Sequence, residues 1–175
     1  MFSRLFSKIL LFLLPLTAMA QTEQDWKAME RSVGVILAND LGRNGYYDQK
    51  SISETMAALC ETVDVECVVA PGDIHHFEGV RSVDDPLWMT NYELIYSHPE
   101  LMIPWHCTLG NHEYRGATQA CIDYTRKSAR WNMPERYHTF VLTADDGTTL
   151  RFVLIDTTPL IDKYRTETSK YPDAA

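Results

Sequence analysis

Hydrophobic positions along the chain follow two rhythms, short continuous runs and helical repeats, and the two take turns. Ser32 to Asp40, "SVGVILAND", is an apolar, β-rich run that ends in polar residues followed by Gly42 and Gly45, which predicts a buried strand feeding a loop. From Asp48 onward Ile52, Met56, Leu59 and Val63 recur at spacings of four, three and four, one face of a helix. "VDVECVVAPGD" predicts a second strand that stops at Pro71, Gly72 and Asp73. "DPLWMTNYELIYSHPE" has one proline near its start and another just past its end, which suits a short helix, with Trp88, Tyr92 and Tyr96 packing inward at four-residue spacing.

"LMIPWHCTLGN" reads as the third strand, and Cys121, Tyr124, Ser128 and Trp131 mark one face of another helix. "YHTFVLTADDGTTLRFVLIDT" is two alternating strands around Asp146-Gly147, a strong hairpin signal. Strands alternating with helices predict an α/β fold with a largely parallel sheet, and the late hairpin makes that sheet mixed. The sequence contains no internal repeat and no low-complexity tract.

The first residues change the picture at one end. "MFSRLFSKILLFLLPLTAMAQ" carries Arg4 and Lys8, then an apolar stretch from Ile9 to Leu16, then small residues at Ala18 and Ala20, the pattern of a signal peptide over residues 1–20 with cleavage after Ala20. The apolar stretch is far shorter than the roughly 20 residues that span a bilayer, so it is not an anchor. The expected product is secreted or periplasmic, with residues 21–31 a linker and residues 32–175 one domain. Losing Arg4 and Lys8 takes the formal charge from −8 to −10. That acidity disfavours nucleic acid and anionic lipid as partners, and no stable membrane association is expected after cleavage. The four cysteines read as buried thiols, with Cys67 and Cys107 in strand-like runs and Cys60 and Cys121 on helices; Cys60 and Cys67 are the one pair close in sequence. No C-x-x-C occurs, so a thiolate zinc site has no support.

The candidate chemistry sits where the strands end. In an open parallel sheet, ligands gather beyond the carboxyl ends of the strands because the loops on that edge converge. The three strand ends carry "NDLGRNG", "GDIHHFEG" and "GNHEYRG", which put Asp40, Asp73, and Asn111 with His112 at the first exposed positions, beside glycines that let the backbone turn sharply. Each alone reads as a turn former bonded to its own backbone. Three at one edge point to a metal site.

These residues carry a resemblance. The order D-x-G, G-D, G-N-H-E, as it stands at Asp40–Gly42, Gly72–Asp73 and Gly110–Glu113, resembles the calcineurin-like metallophosphoesterase superfamily, and "NDLGRNGYYDQ" with "LGNHEYRG" is similar to its purple or tartrate-resistant acid phosphatase branch. The resemblance spans about residues 33–160. It implies an α/β/β/α sandwich of which this chain supplies the N-terminal half, and hydrolysis of small phosphorylated substrates at two metal ions, iron, zinc or manganese. Phosphate monoesters are the implied substrates, with phosphodiesters the alternative. Carried over by position, Asp40 binds the first metal, Asp73 bridges both, Asn111 binds the second, and His112 stays off the metals to contact the phosphate and protonate the leaving alkoxide.

Two departures qualify the expectation. Three residues after the bridging aspartate the purple branch has a tyrosine whose phenolate gives the colour; here that position is His76, whose neutral imidazole suits zinc, manganese or ferrous iron and predicts a colourless or weakly coloured site. His75 is expected to point the other way, as a residue behind the ligands or in solvent. The family's later G-H-H and G-H-x-H motifs do not occur in these 175 residues, whose last histidine is His138. His98, His106 and His138, on a helix end, in a strand and at the hairpin start, are poor substitutes. The expectation is therefore the N-terminal part of a longer enzyme, with weak metal binding and little turnover from this part alone. A non-catalytic secreted binding module is the rival reading. An EF-hand calcium loop from Asp40 fails, because Gly42 and Ser51 occupy its third and twelfth positions. Arg43 and Arg115 are placed to meet phosphate oxygens or to stand in solvent. The Asp156–Pro159 stretch ends a strand near the same cleft, with no role assigned.

Overall fold

The computed structural model describes residues 32–174. The signal peptide and the linker expected from the sequence therefore lie outside the described residues. Four short strands, β1 (Val35–Leu37), β2 (Cys67–Ala70), β3 (Trp105–Cys107) and β4 (Trp131–Asn132), form a wholly parallel sheet in the order β1-β2-β3-β4. Helix α1 (Gln49–Cys60) connects β1 to β2. A π-helical turn (Trp88–Glu93) and a 3-10 turn (Pro99–Leu101) lead into β3, and α2 (Thr118–Asp123) with a 3-10 turn (Tyr124–Arg126) leads into β4. The α/β class expected from the alternating rhythms is the one observed.

The late hairpin, β5 (His138–Thr143) and β6 (Thr149–Leu154), pairs with itself as a separate two-stranded sheet rather than extending the parallel one. Its tip follows the sequence signal: Gly147 N–H bonds the Ala144 carbonyl (2.9 Å) and Gly147 sits at φ 84°, where glycine carries no steric penalty. A last helix, α3 (Asp162–Thr166), follows a 3-10 turn at Thr158–Leu160. No helix among the described residues is long and apolar enough to cross a membrane.

Period two along β2 and β3 sends alternate side chains to opposite faces. Val68, Ala70, Trp105 and Cys107 join the larger core, whereas Cys67 and Val69 join a small cluster with Leu154 under the hairpin. The large core is aromatic: Trp88 stacks on Tyr124 with ring centres 3.5 Å apart, and Tyr92 meets Trp105 and Trp131 edge to face. Arg130 lies buried over the Tyr92 ring and is matched by Glu93 (2.9 Å) and by the carbonyls of Tyr96 and Leu101. All four cysteines are free thiols, three of them buried.

Two helical expectations shift. In α1 Met56 is buried but Ile52 and Leu59 are 47% and 42% exposed, and Val63 lies past the helix end. The inward stripe is Gln49, Ser53, Met56 and Ala57, because Gln49 and Ser53 donate to the carbonyls of Asn91 and Ile95. A partly polar inner face is invisible to hydrophobic periodicity. Trp131 leaves its expected helix for β4, where it pairs with Trp105, and its indole N–H caps the Cys121 carbonyl (2.8 Å).

Candidate metal centre

The loops that leave β1, β2 and β3 meet through their backbones. Ala38 N–H bonds Val69 O, Asp40 N–H bonds Gly72 O (3.3 Å) and His76 N–H bonds Gly42 O (3.1 Å), so the first loop is laced to the second. Buried Gln49, at the start of α1, accepts from the backbone N–H groups of Arg43 and Gly45 and holds the far side of the first loop. The second and third loops press closer still. A Cβ on Gly110 would stand 2.3 Å from Asp73 Oδ1 and 2.4 Å from its backbone nitrogen, so this glycine serves loop-to-loop contact rather than approach to an ion. Asp40 and Asp73 both sit in the left-handed region, at φ 56° and 54°, a conformation that is sparsely used by non-glycine residues and clusters at functional sites.

This lacing gathers the residues the sequence singled out. Asp40, Asp73 and Asn111 line one small cleft, whose other walls include Thr157, Thr158 and Tyr164. His76 Nε2 lies 3.5 Å from Asp40 Oδ1 and 3.9 Å from Asp73 Oδ2, and its ring centre is 4.0 Å from that of His112. Asp73, His76 and His112 each offer a ligand atom, all within 4.8 Å of one another. Two donors held at about 2.1 Å from one zinc-like ion stand about 3–3.5 Å apart, a spacing the His76–Asp40 pair at 3.5 Å meets and the wider pairs exceed. Oxygen and imidazole donors together fit zinc, manganese or ferrous iron. The His76 ring is buried with Nδ1 unpartnered; burial, His112 and Arg43 lower its pKa, against the opposing pull of Asp73 and Asp40. The lone pair of a neutral ring is what a metal needs.

His112 is oriented from two sides. Its backbone N–H bonds Asp73 Oδ1 (2.9 Å), and its Nδ1 lies 2.7 Å from the Phe77 carbonyl. A carbonyl can only accept, so Nδ1 carries the hydrogen and Nε2 is the atom left for chemistry. Arg115 donates to the same carbonyl (3.1 Å) and lies over Tyr171, which ties it down rather than leaving it in solvent. Arg43 lies between the rings of Tyr47 and Phe77 in a neighbouring cleft that His76 also lines.

His75 corrects its expectation as a residue in solvent. It points away from His76, is fully buried, and lodges edge-on against Trp88 with centres 4.4 Å apart, where burial pushes its pKa down to about 3. His98, His106 and His138 are not among the residues that meet at the centre. The sequence reading gave no role to Glu113, whose carboxylate is buried beneath the centre and accepts four backbone N–H bonds. Its spacing from Gly110 is the signal that could have found it, since an acid three residues past a helix-entry position commonly reaches back to that N–H.

No family model matches the chain. Among curated proteins it is 33% identical over 159 residues to purple acid phosphatase 4 of Arabidopsis thaliana, covering 89% of this chain and 45% of that protein. It is 32% identical to purple acid phosphatase 7 of the same plant, over 81% of this chain and 42% of that protein. The tartrate-resistant acid phosphatase type 5 of Sus scrofa is 32% identical over 87 residues, 49% of this chain and 26% of that protein. This chain thus spans less than half the length of these relatives. Among solved structures, GAP50, the anchor in the inner membrane complex of Plasmodium, matches with a TM-score of 0.63 at 21% identity, over 81% of this chain and 47% of that one, which shows a shared fold.

Proposed function

This chain is a homologue of the purple acid phosphatases over most of its own length, and from that premise we propose that the complete protein hydrolyses small phosphate monoesters at a dinuclear metal centre. The observation that carries the reading is the meeting of Asp40, Asp73, His76, Asn111 and His112 at one sheet edge although they come from three loops. Asp40 and His76 would hold the first metal, Asp73 would be shared by both, and Asn111 would hold the second through its amide oxygen. The bound ions supply Lewis acidity and lower the pKa of water so that a hydroxide is available near neutral pH.

The rest of the work falls to the side chains. His112, with Nδ1 anchored on Phe77, directs Nε2 toward the leaving oxygen and, when protonated, delivers the proton an alkoxide requires. Asp73 has its Oδ1 occupied by the His112 backbone, which fixes the direction in which Oδ2 faces the site. His76, in place of a phenolate, gives a centre without a strong visible charge-transfer band. The later histidine motifs of the family do not occur in these 175 residues, so this part by itself binds metal weakly and turns over little.

The test is Asp73→Asn in the full-length protein, read by metal content and by hydrolysis of an aryl phosphate. Loss of bound metal together with loss of turnover by more than about 100-fold is expected, in line with removal of a bridging charge. Retained metal and retained rate would mean that the site is elsewhere.

A further inference from the structure

We propose that Glu113 is a positioning residue for the metal centre: without touching metal or substrate, its carboxylate locks the loops after β2 and β3 together, and metal affinity depends on it. The inference rests on the metal-centre reading above. Glu113 is 2% exposed, and both of its oxygens are filled by donors. Oε1 accepts from the N–H groups of Ile74 (2.8 Å) and His75 (2.9 Å), and Oε2 from those of Asp73 (2.9 Å) and Gly110 (2.8 Å). No Lys or Arg pairs with it among the described ion pairs. Burial pushes its pKa up, while the N–H bonds from Gly110, His75 and Asp73 oppose that.

A role confined to capping the turn at Glu113–Arg115 needs the Gly110 bond alone. The other three bonds reach back 38 to 40 residues to the loop that carries Asp73 and His76. Each falls on the left-handed Asp73 or on the two residues after it. Thus Asp73 is held at its N–H by Glu113 and at its Oδ1 by the His112 backbone, and both constraints come from the third loop. A side chain with four donors around it accepts at every point. Glutamine in its place keeps the shape but turns an NH2 toward two N–H groups that then have no acceptor.

The experiment compares the full-length protein with its Glu113→Gln and Tyr114→Phe variants, the last a buried neighbour whose hydroxyl donates to Asp156 and accepts from Arg136. Manganese(II) binding is measured by calorimetry at a temperature where circular dichroism shows each protein folded, and amide exchange is followed without metal. The expected result is a 10- to 100-fold loss of manganese affinity in Glu113→Gln, as for other residues that orient metal ligands, with Tyr114→Phe unchanged. Faster exchange at Asp73, Ile74, His75 and Gly110 is expected to accompany it. Equal affinity in Glu113→Gln and the parent chain overturns the positioning role. If the parent itself binds no manganese, the metal-centre reading fails, and unchanged protection of the four amides in Glu113→Gln would overturn the clamp as well. Should Glu113→Gln not fold, Glu113→Asp, which keeps the charge but falls one methylene short, is expected to show a smaller loss of the same sign; parent-like affinity there overturns the proposal.

Discussion

One face of the parallel sheet is covered by a thick aromatic layer in which Trp88, Tyr92, Tyr96, Trp105, Tyr124 and Trp131 interlock, while the other carries one hairpin resting on Cys67, Val69 and His106. The first face is contributed by segments scattered from Ile36 to Ala174, and Arg130, buried there, is fully matched. The second is local and thin. Phe140 stacks on His106 at 3.5 Å and on Phe152 at 4.6 Å, and the outward residues Val141 and Val153 are 46% and 59% exposed. It also holds two imidazoles, His106 and His138, with buried nitrogens that have no partner. The contrast separates stability from sensitivity: the aromatic face anchors the sheet from which the site loops emerge, and the hairpin face is where conditions act.

The largest expected effect lies on the aromatic face. Trp131→Ala removes a 1%-exposed indole and its bond to Cys121, and should cost about 3–5 kcal/mol in denaturant unfolding. Phe140→Ala, on a half-buried ring under the hairpin, should cost about 1–2 kcal/mol. Equal costs would erase the distinction between the faces.

Acid should act next, and on the thin face. Burial lowers the His106 pKa from 6.5 to about 4, helped by His138, which is itself lowered by burial. Both rings are neutral when folded and take protons more readily when unfolded. Their stabilising contribution is therefore complete above pH 6.5 and is lost as pH falls from there toward 4. His138→Phe should flatten part of that slope in pH-dependent melting, and an unchanged slope would place the acid sensitivity elsewhere. The smallest effect belongs to the hairpin tip. Gly147→Ala meets no neighbouring atom but keeps a left-handed φ, so a loss of about 1 kcal/mol is expected from backbone strain alone.

The sequence made the hairpin legible almost completely, because its period-two burial and its Asp-Gly tip are local properties. The three strand ends were legible for a different reason: a parallel sheet must release its loops at one edge, so Asp40, Asp73 and Asn111 were bound to face the same region. The inner stripe of α1 was not legible, since Gln49 and Ser53 point inward to satisfy loop backbone rather than to bury apolar surface. Trp131 looked helical by spacing from Cys121 and became a strand because β3 needed a partner for its backbone. His75 and His76 are adjacent in the chain yet meet opposite surroundings, one an aromatic core and the other two carboxylates.

The residues by themselves determined the α/β class, the hairpin and the set of side chains able to bind a cation, because periodicity and residue chemistry belong to the chain wherever it lies. Tertiary structure alone decided that Asp73 takes a left-handed backbone, that His112 turns Nε2 free, and that a buried glutamate ties two loops together. Those outcomes depend on backbone groups some 40 residues apart coming within hydrogen-bond distance, and no pattern in a linear sequence carries that separation.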